Sequence, residues 1–212
     1  MSRTGTPIPG DAKRVAGARP RRGRPEETRA RLVAAAAEVF NEVGYRGTDS
    51  NRLARAAGYA PGTFYKHFPD KRAAFLAAYE AWVTREWQAI EQVLREGGTP
   101  VELAARLVGM TLDLHRRWRG LRASLRALVA EDAEARAFYR RQRRRQIDLL
   151  AHLTRQQRRT REENAILLYT LERVSDAAAD GELTDLNLNT NRTKAFLRAL
   201  VLPILKSRRE RQ

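Results

Sequence analysis

The chain has 212 residues and no cysteine, so it is long enough to bury a substantial core as one large or two small domains, and disulfides, zinc-thiolate sites and thiol nucleophiles are excluded. No run reaches the roughly 18 to 20 apolar residues of a membrane span and the Arg- and Gly-rich start lacks the apolar core of a secretion signal, so a cytoplasmic protein without a membrane partner is expected. With 41 Lys plus Arg against 25 Asp plus Glu the net charge is +16, which points to a polyanionic partner.

Residues 1–25 are Gly, Pro, Ala and Arg with seven basic side chains against Asp11 alone. They lack the apolar surface to fold and read as a disordered basic arm. The arm ends in Arg22-Gly23-Arg24-Pro25, the short core of minor-groove AT-hook peptides. Two readings stay open for Arg22 and Arg24: insertion into an A·T-rich minor groove, or nonspecific attraction to phosphates.

From Pro25 the pattern is helical. Leu32, Ala36, Val39, Phe40 and Val43 recur on one face, Glu26 and Glu27 favour the dipole of the first turn, and Gly44 ends the helix. Thr48 is the expected cap of a short second helix with Leu53, Ala54 and Ala57 inward; Gly58 closes it, Tyr59 and Ala60 turn, and Pro61 opens a third helix. Two short helices around a Gly-containing turn form a helix-turn-helix, whose second helix enters the DNA major groove. With Thr63 at 0°, the helical period puts Phe64, Phe68 and Pro61 at about 100° to 160°, on the buried side. Lys66, at about 300°, faces outward with Gly62, Thr63 and Tyr65, an inventory suited to phosphates and base edges. His67 falls at about 40°, on the boundary, and serves either local backbone or a phosphate.

Asp70 caps a long helix running to Gly97-Gly98. Thr99-Pro100-Val101-Glu102 is a capping box with Pro at N1, Asp132 caps a further helix, and Thr160 with Glu163 is a second capping box. Gly120 and Gly181 read as breaks, and no segment has strand character. Residues 136–161 hold ten arginines against Asp148. The consecutive Arg143, Arg144 and Arg145, with Arg140 and Arg141, wrap the helix circumference, which favours a solvated helix with pairs such as Arg144 to Asp148 over a second anionic contact. The final apolar stripe, Leu197, Leu200, Val201 and Ile204, is interrupted by Pro203, where the helix is expected to kink or end.

The stretch from about Thr28 to Tyr79 resembles the DNA-binding domain of the TetR family of bacterial transcription regulators. The resemblance is carried by Ala37 to Phe40, Gly44-Tyr45, Gly47-Thr48, Leu53-Ala54, Ala57-Gly58, Gly62-Thr63-Phe64-Tyr65, His67-Phe68 and Lys71. It implies an all-α fold: a three-helix helix-turn-helix domain over 26–72, then a helical ligand-binding and dimerisation domain over 73–212. Further implied are DNA contacts by Thr63, Tyr65 and Lys66, a Thr48 cap lying beside a DNA phosphate, a phosphate held by Lys71, and a homodimer on a double-stranded, palindromic DNA operator that a small, largely apolar effector releases. Two positions depart from the family pattern: Ser50 stands where an apolar residue is usual, and Ala60 where Ser or Thr caps the recognition helix, a loss of about 1 kcal/mol.

Trp82, Trp87, Met110, Leu114, Trp118, Phe138 and Tyr169 offer bulky side chains for either a cavity or plain core, and His115 is the candidate polar anchor among them. Asp148 and His152 lack further ligands for a metal, no cofactor is expected, and no catalytic motif is found. A nonspecific architectural DNA binder is the alternative to a regulator, and an all-helical enzyme the third reading.

Overall fold

Glycine and proline punctuate the fold where the chain changes direction. The computed structural model describes residues 24–154 and 159–209. The arm up to Gly23, including Arg22, lies outside the described residues, and so does part of the Arg-rich block. Among the described residues ten helices follow in order: α1 (Pro25–Val43), α2 (Ser50–Ala56), α3 (Pro61–Tyr65), α4 (Lys71–Glu96), α5 (Pro100–Arg117), α6 (Arg119–Glu131), α7 (Ala133–Thr154), α8 (Arg161–Asp180), α9 (Glu182–Asp185) and α10 (Thr190–Arg209). No strand occurs among the described residues.

Helix ends follow local chemistry. Asp70 Oδ1 accepts from the Ala73 N–H at 2.7 Å and opens α4, and Asp132 Oδ1 accepts from Ala135 at 2.8 Å and opens α7. Reciprocal boxes join Thr99 to Glu102 and Thr160 to Glu163, each satisfying two otherwise orphaned donors. At α2 the cap is Asp49, whose Oδ1 accepts from Arg52 at 2.7 Å; the expected cap Thr48 is instead buried, with its hydroxyl turned to the Asp49 carbonyl. A carboxylate is the stronger acceptor at the positive helix end, and one residue of register decides between them.

Two other expectations change. Gly120 lies within α6, and the break falls at Trp118. A Cβ on Gly120 would stand 1.9 Å from the Asn41 carbonyl oxygen, so this glycine permits close approach of α6 to α1. α10 runs through Pro203 to Arg209. Packing of Leu197, Ile204 and Leu205 against α5 and α8 outweighs the lost helical hydrogen bond.

The largest core cluster joins α1, α2 and α3 through α4 to α6 and α7. Phe40, Phe64 and Phe75 are fully buried there with Leu121 and Leu125, and Phe40 meets Phe75 edge-on at 5.0 Å. The core therefore crosses residue 72 without interruption, because α4 serves both sides. Smaller clusters between α5, α8 and α10 close the far end.

Candidate functional site

The first candidate site is built by two short helices, α2 and α3, held against two longer ones, α1 and α4. Gly58 takes φ +80°, a conformation glycine adopts freely, and swings the chain from α2 into α3. α3 has Pro61 at N1 and, with Ala60 extended before it, no side-chain cap. Phe64 and Phe68 are almost fully buried and fasten α3 to α1 and α4, while the Arg29 guanidinium covers the Phe68 ring at 5.0 Å. Gly62, Tyr65 and Lys66 face solvent, Tyr65 with 57% of its surface exposed, and Thr63 and His67 are half-buried. Pro61 is exposed, against the buried position its helical angle suggested. Side chains tilt toward a helix's N-terminus, so a first-turn residue projects past the end of the helix and misses the surface beneath it.

Lys71 is not a free cation. Its ammonium donates to the Tyr45 and Thr48 carbonyls, both at 2.9 Å, and lies 4.3 Å from the centre of the Tyr45 ring. Two of its three donors thus tie the α1–α2 loop to the start of α4. Asp49, Arg29 and the exposed Arg52 and Arg55 were missed as parts of this surface, although their spacing along α1 and α2 was open to view.

The second candidate site is an apolar cavity of about 150 Å³ lined by α4, α5, α7, α8 and α10. Leu107, Val108, Leu168, Leu197, Val201 and Ile204 form much of its wall. Of the eight side chains singled out in the sequence, Trp87 and His115 line it. Trp82, Trp118 and Phe138 belong to the main core, Met110 packs beside Leu103 and Leu107, and Leu114 packs on the main core. Tyr169 is exposed and borders a separate cleft with Tyr79, Arg143 and Arg173. Trp82 and Trp87 are five residues apart, about 140° around α4, so they cannot share a wall.

One end of the cavity is polar. His115 is fully buried, and its Nδ1 lies 2.9 Å from Asp176 Oδ1, to which the ring N–H donates. Burial lowers its pKa and favours the neutral ring. With Nδ1 carrying the proton, Nε2 is an acceptor, and it points to Glu86 Oε1 at 3.8 Å. Glu86 is buried, and desolvation raises its pKa from 4.5 to about 7. Behind this pair, Arg122 holds Asp176 through Nε at 2.7 Å and Nη2 at 3.2 Å, Arg126 adds a bond at 2.9 Å, and Arg143 pairs with Glu172. Against the rise that burial alone would give, the His115 hydrogen bond and the Arg122 guanidinium hold the Asp176 carboxyl well below its usual range. Arg143 is therefore buried between Glu172, Gln146 and the rings of Tyr139 and Tyr169, unlike the solvated arginine expected there, and Asp148 pairs with Arg161 at 2.9 Å and not with Arg144. Glu86 went unnoticed in the sequence, yet it interrupts the stripe Val83, Ile90, Val93 with a charge. Among the described residues no group of three or more His, Asp or Glu side chains could hold a metal ion.

The profile of bacterial regulatory proteins of the tetR family matches residues 32–78, which contain α2, α3 and the Lys71 anchor. This segment of the chain matches the DNA-binding domain of the TetR family. Over 70 residues it is 34% identical to the HTH-type transcriptional activator FasR of Mycolicibacterium smegmatis, 33% of this chain and 32% of that one. Over 83 residues it is 26% identical to the fatty acid metabolism regulator protein of Bacillus subtilis, 39% of this chain and 43% of that one. The matched region thus spans less than half of either relative's length. A Rhodococcus sp. protein assigned to the TetR family superimposes with a TM-score of 0.66 at 18% identity, over 84% of this chain and 99% of the other, which shows a shared all-helical fold. No described helix is long and apolar enough to cross a membrane.

Proposed function

We propose that this chain is a sequence-specific repressor of the TetR family that binds a palindromic DNA operator as a homodimer and leaves it when a small molecule fills the α4–α10 cavity. The observation that carries the reading is α3: anchored by Phe64 and Phe68, it turns Gly62, Tyr65 and Lys66 outward from a rigid core. Thr63 and His67 sit at the edges of that face, Arg24 stands at the start of α1 beside the arm, and Lys71 keeps one donor for a phosphate.

A homodimer is supported by apolar surface on the last two long helices. Ile166 on α8 is 65% exposed and Phe196 on α10 is 61% exposed, and Ala199 and Pro203 continue the α10 strip at spacings of three and four residues. A two-fold pairing of these faces would present two α3 helices to major grooves about one helical turn apart, roughly 34 to 36 Å.

Release is supported by α4, which begins at the Asp70 cap under the reading head and reaches Glu86 and Trp87 at the cavity about 22 Å along the helix. An effector that shifts α4 there would change the spacing of the two α3 helices. The relatives named for fatty acid metabolism make an acyl chain one candidate for the effector's apolar part.

Selection of bound sequences from a random DNA pool tests the reading. A two-fold symmetric site preferred by about 10³ or more over random DNA is the expected result. Recovery of no preferred sequence would favour a nonspecific architectural binder, which the +16 charge would also permit.

A further inference from the structure

The cavity's wall is apolar, but its polar end has a definite sign. Beside the indole N–H of Trp87, the side chains that can make polar contacts there are Glu86, Glu172, His115, Gln146, Thr111 and Ser175, and no lysine or arginine is among the described residues that line it. The arginines nearby are turned away into ion pairs: Arg122 and Arg126 to Asp176, and Arg143 to Glu172. Glu172 and Asp176 are thereby compensated. Glu86 is not: its nearest ion-pair partner is the neutral ring of His115 at 3.8 Å. The bare Nε2 of that ring and the ionised Glu86 carboxylate, 3.8 Å apart on the cavity wall, are both acceptors. A carboxylate or phosphate ligand would meet no cation there, and ionised Glu86 would repel it. A ligand N–H donor would satisfy both, and a positive charge on it would offset the buried carboxylate.

We propose that the cavity, read as the effector site, takes an apolar organic amine whose protonated nitrogen is held between Glu86 and His115 Nε2 while its hydrocarbon part lies along Leu107, Leu168, Leu197 and Ile204. Trp87, at the same end as Glu86 on α4, adds an aromatic surface beside the ammonium. The charges that face Glu86 are His115 from α5, Arg122 from α6, Arg143 from α7, and Glu172 and Asp176 from α8. The arginines are bound to the α8 acids, so ammonium binding falls chiefly to Glu86.

Calorimetric titration of the full chain with decylamine, decanol and decanoate, each below its micelle concentration, tests this directly. Decylamine is expected to bind at least about tenfold more tightly than either other probe. Glu86→Gln is expected to weaken decylamine about tenfold and leave decanol within about twofold. For the unaltered chain at pH 7, titrations in two buffers of different ionisation enthalpy should show protons released as decylamine binds, because the ammonium draws the Glu86 carboxyl into its charged form. Decanoate binding as tightly as decylamine, an unchanged amine affinity in Glu86→Gln, or no proton release would overturn the proposal. Operator release in a parallel gel-shift separates the two levels. Decanoate that binds and releases DNA would defeat the amine preference and leave the effector reading standing; decylamine that binds without affecting operator affinity would do the reverse. Binding of none of the three would count against both.

Discussion

Glu86 costs the fold stability whenever it is ionised. Its carboxyl has a pKa of about 7 in the folded chain against 4.5 when exposed, so the folded state binds more protons between those values and stability falls as pH rises through that window. Glu86→Gln should therefore be more stable than the parent at pH 8, by on the order of 2 kcal/mol, and nearly equal to it at pH 5, as read by denaturant melts at the two pH values. His115, whose pKa burial lowers, works in the opposite sense below 6.5, but in both proteins, so their difference isolates Glu86. At the reading head, Ala60 already has the extended backbone of an N-cap without an acceptor side chain. Ala60→Ser should raise stability by about 0.5 to 1 kcal/mol in the same melts. Lys66→Ala should leave stability unchanged and flatten the salt dependence of operator binding by about one unit. Lys71→Ala removes the donor from two loop carbonyls and should cost about 1 to 2 kcal/mol of stability besides weakening DNA binding.

At the level of helices, α6 links the two sites as directly as α4 does. It lies against α1 at Gly120, where Asn41 Nδ2 donates to the Arg117 carbonyl at 2.8 Å and Asn41 Oδ1 accepts from Leu121 at 3.1 Å. One turn on, Ser124 Oγ accepts from the Tyr45 N–H at 3.0 Å, and Arg122 between them grips Asp176, the partner of His115. α6 thus connects the polar end of the cavity to the helix that supports the helix-turn-helix. Gly120→Ala would push α1 and α6 apart because the new methyl group meets backbone. It should cost about 1 to 3 kcal/mol in denaturant melts and lower operator affinity even without effector.

For the whole molecule, the exposed Ile166 of α8 and Phe196 of α10 belong to the proposed two-fold contact. Phe196→Glu with Ile166→Arg should shift the chain to monomer in sedimentation at micromolar concentration. The same variant should bind a half-site as the parent does but lose most of its preference for the full palindrome. An unchanged sedimentation profile would move the interface elsewhere. The high positive charge belongs at this scale too: part of the Arg-rich block's charge is neutralised within the fold, since Arg143 is buried against Glu172 and Arg145 pairs with Glu80 at 3.0 Å, so the charge available to DNA is smaller than composition suggests.

Local chemistry decided what could be read along the chain. The boundaries at Gly44, Pro61, Asp70, Gly97, Thr99 and Thr160 follow from residues acting on their immediate neighbours, and so did the inward turn of Phe64 and Phe68 in a helix too short to have many options. Where a role depended on a distant partner, periodicity was silent. Gly120 needed the carbonyl of Asn41 to become a contact and not a break, Arg143 needed Glu172 to be buried, and Lys71 needed the Tyr45 and Thr48 carbonyls. The bulky aromatics of the C-terminal part were visible from the start, but only the packing of five helices separated Trp87 and His115, at a cavity, from Trp82, Trp118 and Phe138, in solid core. The sequence by itself thus determined an all-helical chain with a helix-turn-helix near its start, because caps, breakers and the helical period act over a few residues. The sign of the cavity's polar end was decided by tertiary structure alone, since it depends on which arginines α8 claims and which acid is left facing the space.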